Sequence, residues 1–174
     1  MAAKMLSETR NRRDIENAYY RIKLPHVTLG VLALEWAPRD SIVVWANAKL
    51  ARHAGDRVII LTHAYLYDDN TRYDWPTKGA AQLWSPLHFK NTQTADALPD
   101  PSYDGQMLWE GLVRKHSNVF LVMSGHVGGK GYLRLLEILP DGKTVRMKTY
   151  SPSIDRFAGA ADQNGEFMVE PALW

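Results

Sequence analysis

The chain has no cysteine among its 174 residues. That excludes a disulfide scaffold, a Cys-ligated zinc site and a thiol nucleophile. It has no excess of one charge, since a formal net charge of +2 is too mild for a nucleic-acid footprint. No apolar run approaches the ~20 residues of a membrane span. The opening MAAKMLSETRNRRDIEN carries no apolar core of the kind that marks a secretory signal. The expected protein is therefore cytoplasmic by default, with no membrane span and no nucleic-acid partner. Hydrophobic residues at 45% and charged residues at 23% are ordinary globular values.

Residues 1–13 carry Lys4, Arg10, Arg12 and Arg13 with few apolar partners, and read as a flexible basic arm. From Ala18 onward YYRIKL and VTLGVLALEW, separated by Pro25-His26, read as adjacent strands. Asp40 or Ser41 is the candidate cap of a helix over 40–54, where Ile42, Trp45, Ala46, Lys49 and Leu50 recur at helical spacing. RVIILTHAYL follows as a short buried strand ending in polar residues. Asp104 is the candidate cap of a second helix over 104–116, and NVFLVMSGHV repeats the apolar strand with a polar end.

The order helix, buried strand, histidine-bearing loop thus occurs twice. The expected fold is α/β, a mixed sheet packed by helices, with strands near 18–24, 28–35, 57–62, 118–124, 131–139 and 143–150. Asp141-Gly142 marks a hairpin between the last two. The main domain runs over 14–152, and 153–174 read as a surface tail. Residues 66–101 lack sustained periodicity, as functional loops often do.

In parallel sheets, loops at the carboxyl ends of strands build binding sites. His63 and His126 occupy equivalent places, each just past an apolar strand. A neutral imidazole suits zinc, manganese or iron, and two such loops side by side can share one ion. The competing reading has each histidine hydrogen-bonded to nearby backbone. Tyr67-Asp68-Asp69-Asn70-Thr71-Arg72-Tyr73-Asp74-Trp75 concentrates carboxylates, an Arg and three aromatic rings. It reads as a substrate rim of Tyr67, Arg72, Tyr73, Asp74 and Trp75, with Arg72 for an anionic group, or as a solvated turn. EF-hand spacing is absent. Gly125 to Gly131 is one residue short of a P-loop and lacks its Ser or Thr. Ser124 does not sit in a G-x-S-x-G elbow. His26, His53, His88 and His116 have no ligand-like neighbours in sequence. His53 and His116 fall near expected helix carboxyl ends, where a cation complements the dipole.

LEWAPRDSIVVWANAKLARHAGDRVIILTHAYLYDDNTRYDW, GQMLWEGLVRKHSNVFLVMSGHV and GYLRLLEILPDGKTVRMKTYSP together resemble calcineurin-like metallophosphoesterases, over roughly residues 14–152. The resemblance implies part of that family's four-layer sandwich. It also implies hydrolysis of phosphate esters at a dinuclear centre whose ions are bridged by an Asp. By the same resemblance His63 and His126 ligate one ion and are the catalytic candidates. The family's earlier Asp and Asn motifs have no match in residues 1–17, and Gly128 stands where a second histidine is expected. The chain looks like the carboxyl-terminal half of such an enzyme with an internal deletion. One divalent ion (zinc, manganese or iron) is then the expected cofactor, with Asp68, Asp69 and Asp74 as candidates to complete its shell. The expected function is a reduced hydrolase of phosphate or other esters. The alternative is a non-catalytic binding or self-associating module, a homo-oligomer covering the exposed sheet. Relatives in that family are often secreted.

Overall fold

The computed structural model describes residues 5–10, 14–88, 100–126, 133–141, 144–152, 155–157 and 167–169. The chain forms two compact units, residues 1–23 with 28–127, and residues 24–27 with 128–174. Each has its own sheet, so the single domain expected over 14–152 is divided.

The first unit is α/β. Its five-stranded sheet runs in the order β1 (Met5–Thr9), β2 (Ala18–Lys23), β3 (Thr28–Ala33), β4 (Arg57–Leu61) and β5 (Val119–Met123). β1, β2 and β3 are antiparallel neighbours, whereas β3, β4 and β5 are parallel. The parallel pairs need long crossovers. Helix α1 (Asp40–Arg52) lies in the first, between β3 and β4. The second, between β4 and β5, contains the short α2 (Trp75–Lys78) and α3 (Gly105–Gly111). Ile42, Val43, Ala46 and Leu50 of α1 are buried against Leu32, Val58 and Ile60 of the sheet. Ile42, Ala46 and Leu50 are four residues apart and Val43 lies three before Ala46, which places them on one face.

Two capping contacts organise this unit. α1 takes its cap neither from Asp40 nor from Ser41. The Asp100 carboxylate, 59 positions away, accepts from the Ser41 backbone N–H at 2.8 Å and from its hydroxyl at 2.5 Å. Asp40 accepts instead from the Tyr103 hydroxyl at 2.8 Å. Asp104 does cap the later helix, but it serves two helices. Its carboxylate accepts from Met107 N–H in α3 and from Trp75 N–H in α2, each at 2.9 Å. Burial raises the Asp104 pKa, against the lowering effect of these backbone donors.

The amino-terminal arm is corrected by the structure. Met5–Thr9 form the edge strand β1, paired from Met5↔Ile22 to Thr9↔Ala18. Glu8 explains the anchorage, because it pairs with Lys49 and lies 3.4 Å from His53 at the carboxyl end of α1. Arg12 and Arg13 lie outside the described residues. Asp56 is buried, receives two bonds from Arg21 at 2.7 and 2.8 Å, and one from the Tyr19 hydroxyl at 3.1 Å. Burial opposes its ionisation, but Arg21 and Tyr19 hold its pKa below the ordinary Asp value.

The second unit holds an antiparallel sheet of β6 (Leu133–Ile138), β7 (Val145–Ser151), β8 (Arg156–Phe157) and β9 (Phe167–Val169), with β6 on one side of β7 and the other two strands also paired to β7. The expected hairpin is present as the β6–β7 pair, and the Asp141 carboxylate accepts from Thr144 N–H at 2.9 Å, although Gly142 lies outside the described residues. β8 and β9 fall in the stretch read as a tail. They are two and three residues long, too short to show an alternating pattern.

Among the described residues, no helix is long and apolar enough to cross a membrane.

Candidate functional site

Three loops leave the carboxyl ends of the parallel strands, and hydrogen bonds continue the ladder into them. Leu34 N–H donates to the Leu61 carbonyl at 2.9 Å, Thr62 N–H to Met123 at 3.0 Å, and Gly125 N–H to His63 at 3.0 Å. Register at the last paired residues, Ala33↔Leu61 and Leu61↔Met123, sets the three loops side by side. His63 and His126 therefore meet. Their ring centroids are 4.7 Å apart and their planes cross at 74°.

Around this pair lie other rings. The Trp36 indole, from the β3 loop, sits 6.2 Å from the His126 ring. Tyr73, almost fully buried, stands edge-on to His126 at 5.7 Å and to Tyr67 at 5.4 Å. Burial, with added repulsion from Tyr67 and Asp68, pushes the Tyr73 hydroxyl up to about 12, so it remains a donor at neutral pH. That hydroxyl donates to the Leu83 carbonyl at 3.2 Å.

The tautomer of His126 follows from its partner. Its Nε2 lies 2.7 Å from the Trp84 carbonyl oxygen, which can only accept. Nε2 therefore carries the proton, and in the neutral ring Nδ1 keeps the lone pair. Ligating histidines commonly hold their second nitrogen in this way. Burial and the neighbouring His126 push the His63 pKa below the ordinary histidine value, which favours the neutral ring.

Backbone strain collects here. Of the non-glycine residues with positive φ, Ala37 (49°) follows Trp36, while Trp84 (63°) and His126 (61°) are joined by the hydrogen bond just described. A bulky side chain in the left-handed region is disfavoured and is held there by its surroundings.

The rim divides. Tyr73 stands by His126 with Tyr67 behind it, but Arg72 is committed to α3: its Nε donates to Gln106 Oε1 at 2.8 Å and its guanidinium lies 4.7 Å over the Trp109 ring. Asp74 caps α2 by accepting from Thr77 N–H at 3.3 Å, and its own N–H donates to buried Gln82 at 2.7 Å. Trp75 packs on His88 at 4.9 Å. Asp69 accepts from Thr71 N–H at 2.9 Å and faces Lys78 at 3.4 Å. Asp68 acts on Tyr73 electrostatically. Among the described residues, no group of three or more His, Cys, Asp or Glu side chains is placed to hold a metal ion. The carboxylates read as completing a metal shell thus do not gather with the two histidines. Asp69 and Asp74 are drawn into local turn and cap bonds with Thr71 and Thr77, two and three positions further on, as short acidic side chains commonly are. Gly128 lies outside the described residues.

Sequence reasoning missed Trp36 and Trp84. Trp36 had a signal, since it follows an apolar parallel strand just as His63 does. Trp84 had none, because the contact depends on a carbonyl 42 positions from His126.

No family profile matches the chain, and no solved structure matches it. It is similar to the uncharacterized protein YvnB of Bacillus subtilis (strain 168), 27% identical over 134 residues, or 71% of this chain and 10% of that protein. The chain spans about a tenth of the length of the curated relative it matches. None of these comparisons names a metallophosphoesterase.

Proposed function

We propose that this chain is a reduced, metallophosphoesterase-like hydrolase that holds one divalent ion at His63 and His126 and acts on phosphate or other esters. The supporting observation is the contact of two imidazoles at the ends of adjacent parallel strands, 4.7 Å between centroids. The donor set does not suit a dinuclear centre, because no carboxylate among the described residues joins the pair to bridge two ions. It suits one ion of the borderline class that imidazole prefers, zinc, manganese or iron. A divalent ion bound there supplies Lewis acidity and lowers the pKa of water towards neutrality.

The chain's own residues then have separate tasks. His63 offers a neutral nitrogen at pH 7. His126 offers Nδ1 because the Trp84 carbonyl holds its Nε2 proton. Tyr73 fixes the His126 ring from its edge and keeps the Leu83–Trp84 backbone in place through its hydroxyl.

Metal analysis of the purified protein tests this. One equivalent of zinc, manganese or iron is expected, lost in His63→Ala and in His126→Ala. Hydrolysis of p-nitrophenyl phosphate or of an activated carboxylic ester is expected to vanish with chelator and return with Mn²⁺ or Zn²⁺. A metal-free protein whose melting temperature ignores these ions overturns the proposal. That outcome favours the second reading, a non-catalytic binding or self-associating module. The engagement of Arg72, Asp69 and Asp74 within the fold speaks for it.

A further inference from the structure

We infer that His53 is a proton-operated latch for the edge strand β1: its charged ring fastens the strand through Glu8 at acid pH, and its neutral ring loosens it as pH rises. The inference is independent of the metal reading, since neither residue belongs to the His63–His126 site.

Three observations carry it. The His53 side chain is 11% exposed, and its Nε2 is buried without a hydrogen-bond partner, although it lies 3.4 Å from Glu8 Oε1. A buried polar atom is ordinarily paired, and one left unpaired is costly. The ring is confined, because it lies flat on the buried Tyr19 ring, with 5.0 Å between centroids and 8° between planes. The backbone is held as well. Its N–H donates to the Lys49 carbonyl at 3.1 Å, and its carbonyl accepts from Asp56 N–H at 2.9 Å and from Asn118 Nδ2 at 3.1 Å. A neutral imidazole in this place gains little from the carboxylate beside it. A charged one forms an ion pair with almost no movement.

The Lys49 hydrogen bond holds the Glu8 pKa below the ordinary value against its burial, aided by the charges of Lys49, His53 and Arg52. Glu8 is therefore ionised across the range in which histidine titrates. The other charged or titratable groups of the cluster are Lys49 and Arg52 on α1, Asp56 in the turn that follows, and Tyr19 and Arg21 on β2. All of these stay in place if β1 leaves. Among the described residues, Glu8 is the charge that β1 itself brings to the ring. Protonation of His53 and docking of β1 thus support each other. The contribution is present at acid pH and is lost as pH rises through the histidine range. β1 covers the outer edge of β2 from Met5↔Ile22 to Thr9↔Ala18. An uncovered edge presents unpaired backbone groups to a further strand, so the latch makes access to that edge depend on pH.

The test is native-state hydrogen exchange of the full chain at pH 5.5 and pH 8.0, read as protection factors so that the intrinsic pH dependence of exchange is removed. Glu8 is 36% exposed, so solvent screens the pair, and the amides that pair β1 with β2 should lose about 2- to 5-fold in protection at the higher pH. Amides that pair β3 with β4 should not share that loss. In His53→Phe, which keeps a ring for Tyr19 but carries no proton, β1 protection should be equal at the two pH values. The same is expected in Glu8→Gln, which removes the charge from a partly exposed position and decides the matter should His53→Phe fail to fold. Protection of β1 that is unchanged or greater at pH 8.0 in the parent protein overturns the inference. So does a loss that persists in Glu8→Gln or in folded His53→Phe, or one equalled between β3 and β4.

Discussion

Replacing Asp104 by Ala should unfasten two helices at once. The carboxylate is 1% exposed and accepts from Trp75 N–H and Met107 N–H, both at 2.9 Å. A lost side-chain cap costs about 0.5–2 kcal/mol, and a buried donor left without a partner about 1–3 kcal/mol. For two donors in one site, with partial relaxation, we expect a loss of about 2–4 kcal/mol. Asp104→Asn should lose less, about 1 kcal/mol, because its single carbonyl oxygen still serves one of the two N–H groups. The pH dependence distinguishes both variants from the parent. Burial raises the folded pKa of Asp104 above its unfolded value, so the folded state holds the proton more tightly. The Asp104 contribution is then largest at acid pH and declines as pH rises from the unfolded pKa through the folded one. Both variants should abolish that decline.

Amide hydrogen exchange at Trp75 and Met107 is the assay, because it reads these two bonds without requiring the two units to unfold together. In Asp104→Ala both amides should exchange at least ~30-fold faster, the factor that corresponds to ~2 kcal/mol. Acceleration at Met107 alone, or a change below ~5-fold at both, would refute the double cap. The loop that carries Tyr73 lies between these anchors, since Gln106 N–H donates to the Tyr73 carbonyl at 2.7 Å. Exchange at the His63–His126 site should therefore rise in the same variant.

Asp56→Ala leaves Arg21 and Tyr19 without their acceptor and should lower stability by about 3–5 kcal/mol in urea unfolding. The parent's Asp56 has a depressed folded pKa, so its contribution is present above the unfolded Asp pKa and is lost as pH falls through the folded one; a variant with the same acid sensitivity would count against the pair. His126→Gly removes a side chain at φ 61° and should raise or preserve the melting temperature while abolishing divalent-ion uptake, and a large fall in melting temperature would show that the imidazole serves the fold. Divalent-ion binding should weaken as pH falls through a value below the ordinary histidine pKa, since the His63 pKa is lowered; loss already above that value would contradict the burial argument.

Much of the first unit follows from local pattern. Val-Ile-Ile-Leu and Val-Phe-Leu-Val-Met are apolar runs of strand length, and they occur as β4, buried at its centre, and as β5, half-buried along its length at the end of the sheet. The α1 face of Ile42, Ala46 and Leu50 is helical spacing alone. The equivalence of His63 and His126 was visible because both end such strands.

Whether they touch was not visible, because it depends on β4 and β5 being adjacent and parallel, in a register set by pairing across 62 positions at Leu61↔Met123. Residues separated along the chain by that distance leave no periodic trace of each other. The same holds for the Asp100 cap of α1, for the Glu8 anchor that turns a basic arm into strand β1, and for the Trp84 carbonyl that sets the His126 tautomer. The acidic rim shows the reverse limit. Its composition announced carboxylates and an Arg, but competition from nearby N–H groups, Lys78 and Gln106 decided where those side chains went. Local sequence thus determined which segments are strands and helices, since burial periodicity is a property of a few consecutive residues. Only the tertiary structure decided which side chains converge, since that is fixed by strand order, register and the partners each polar group finds on burial.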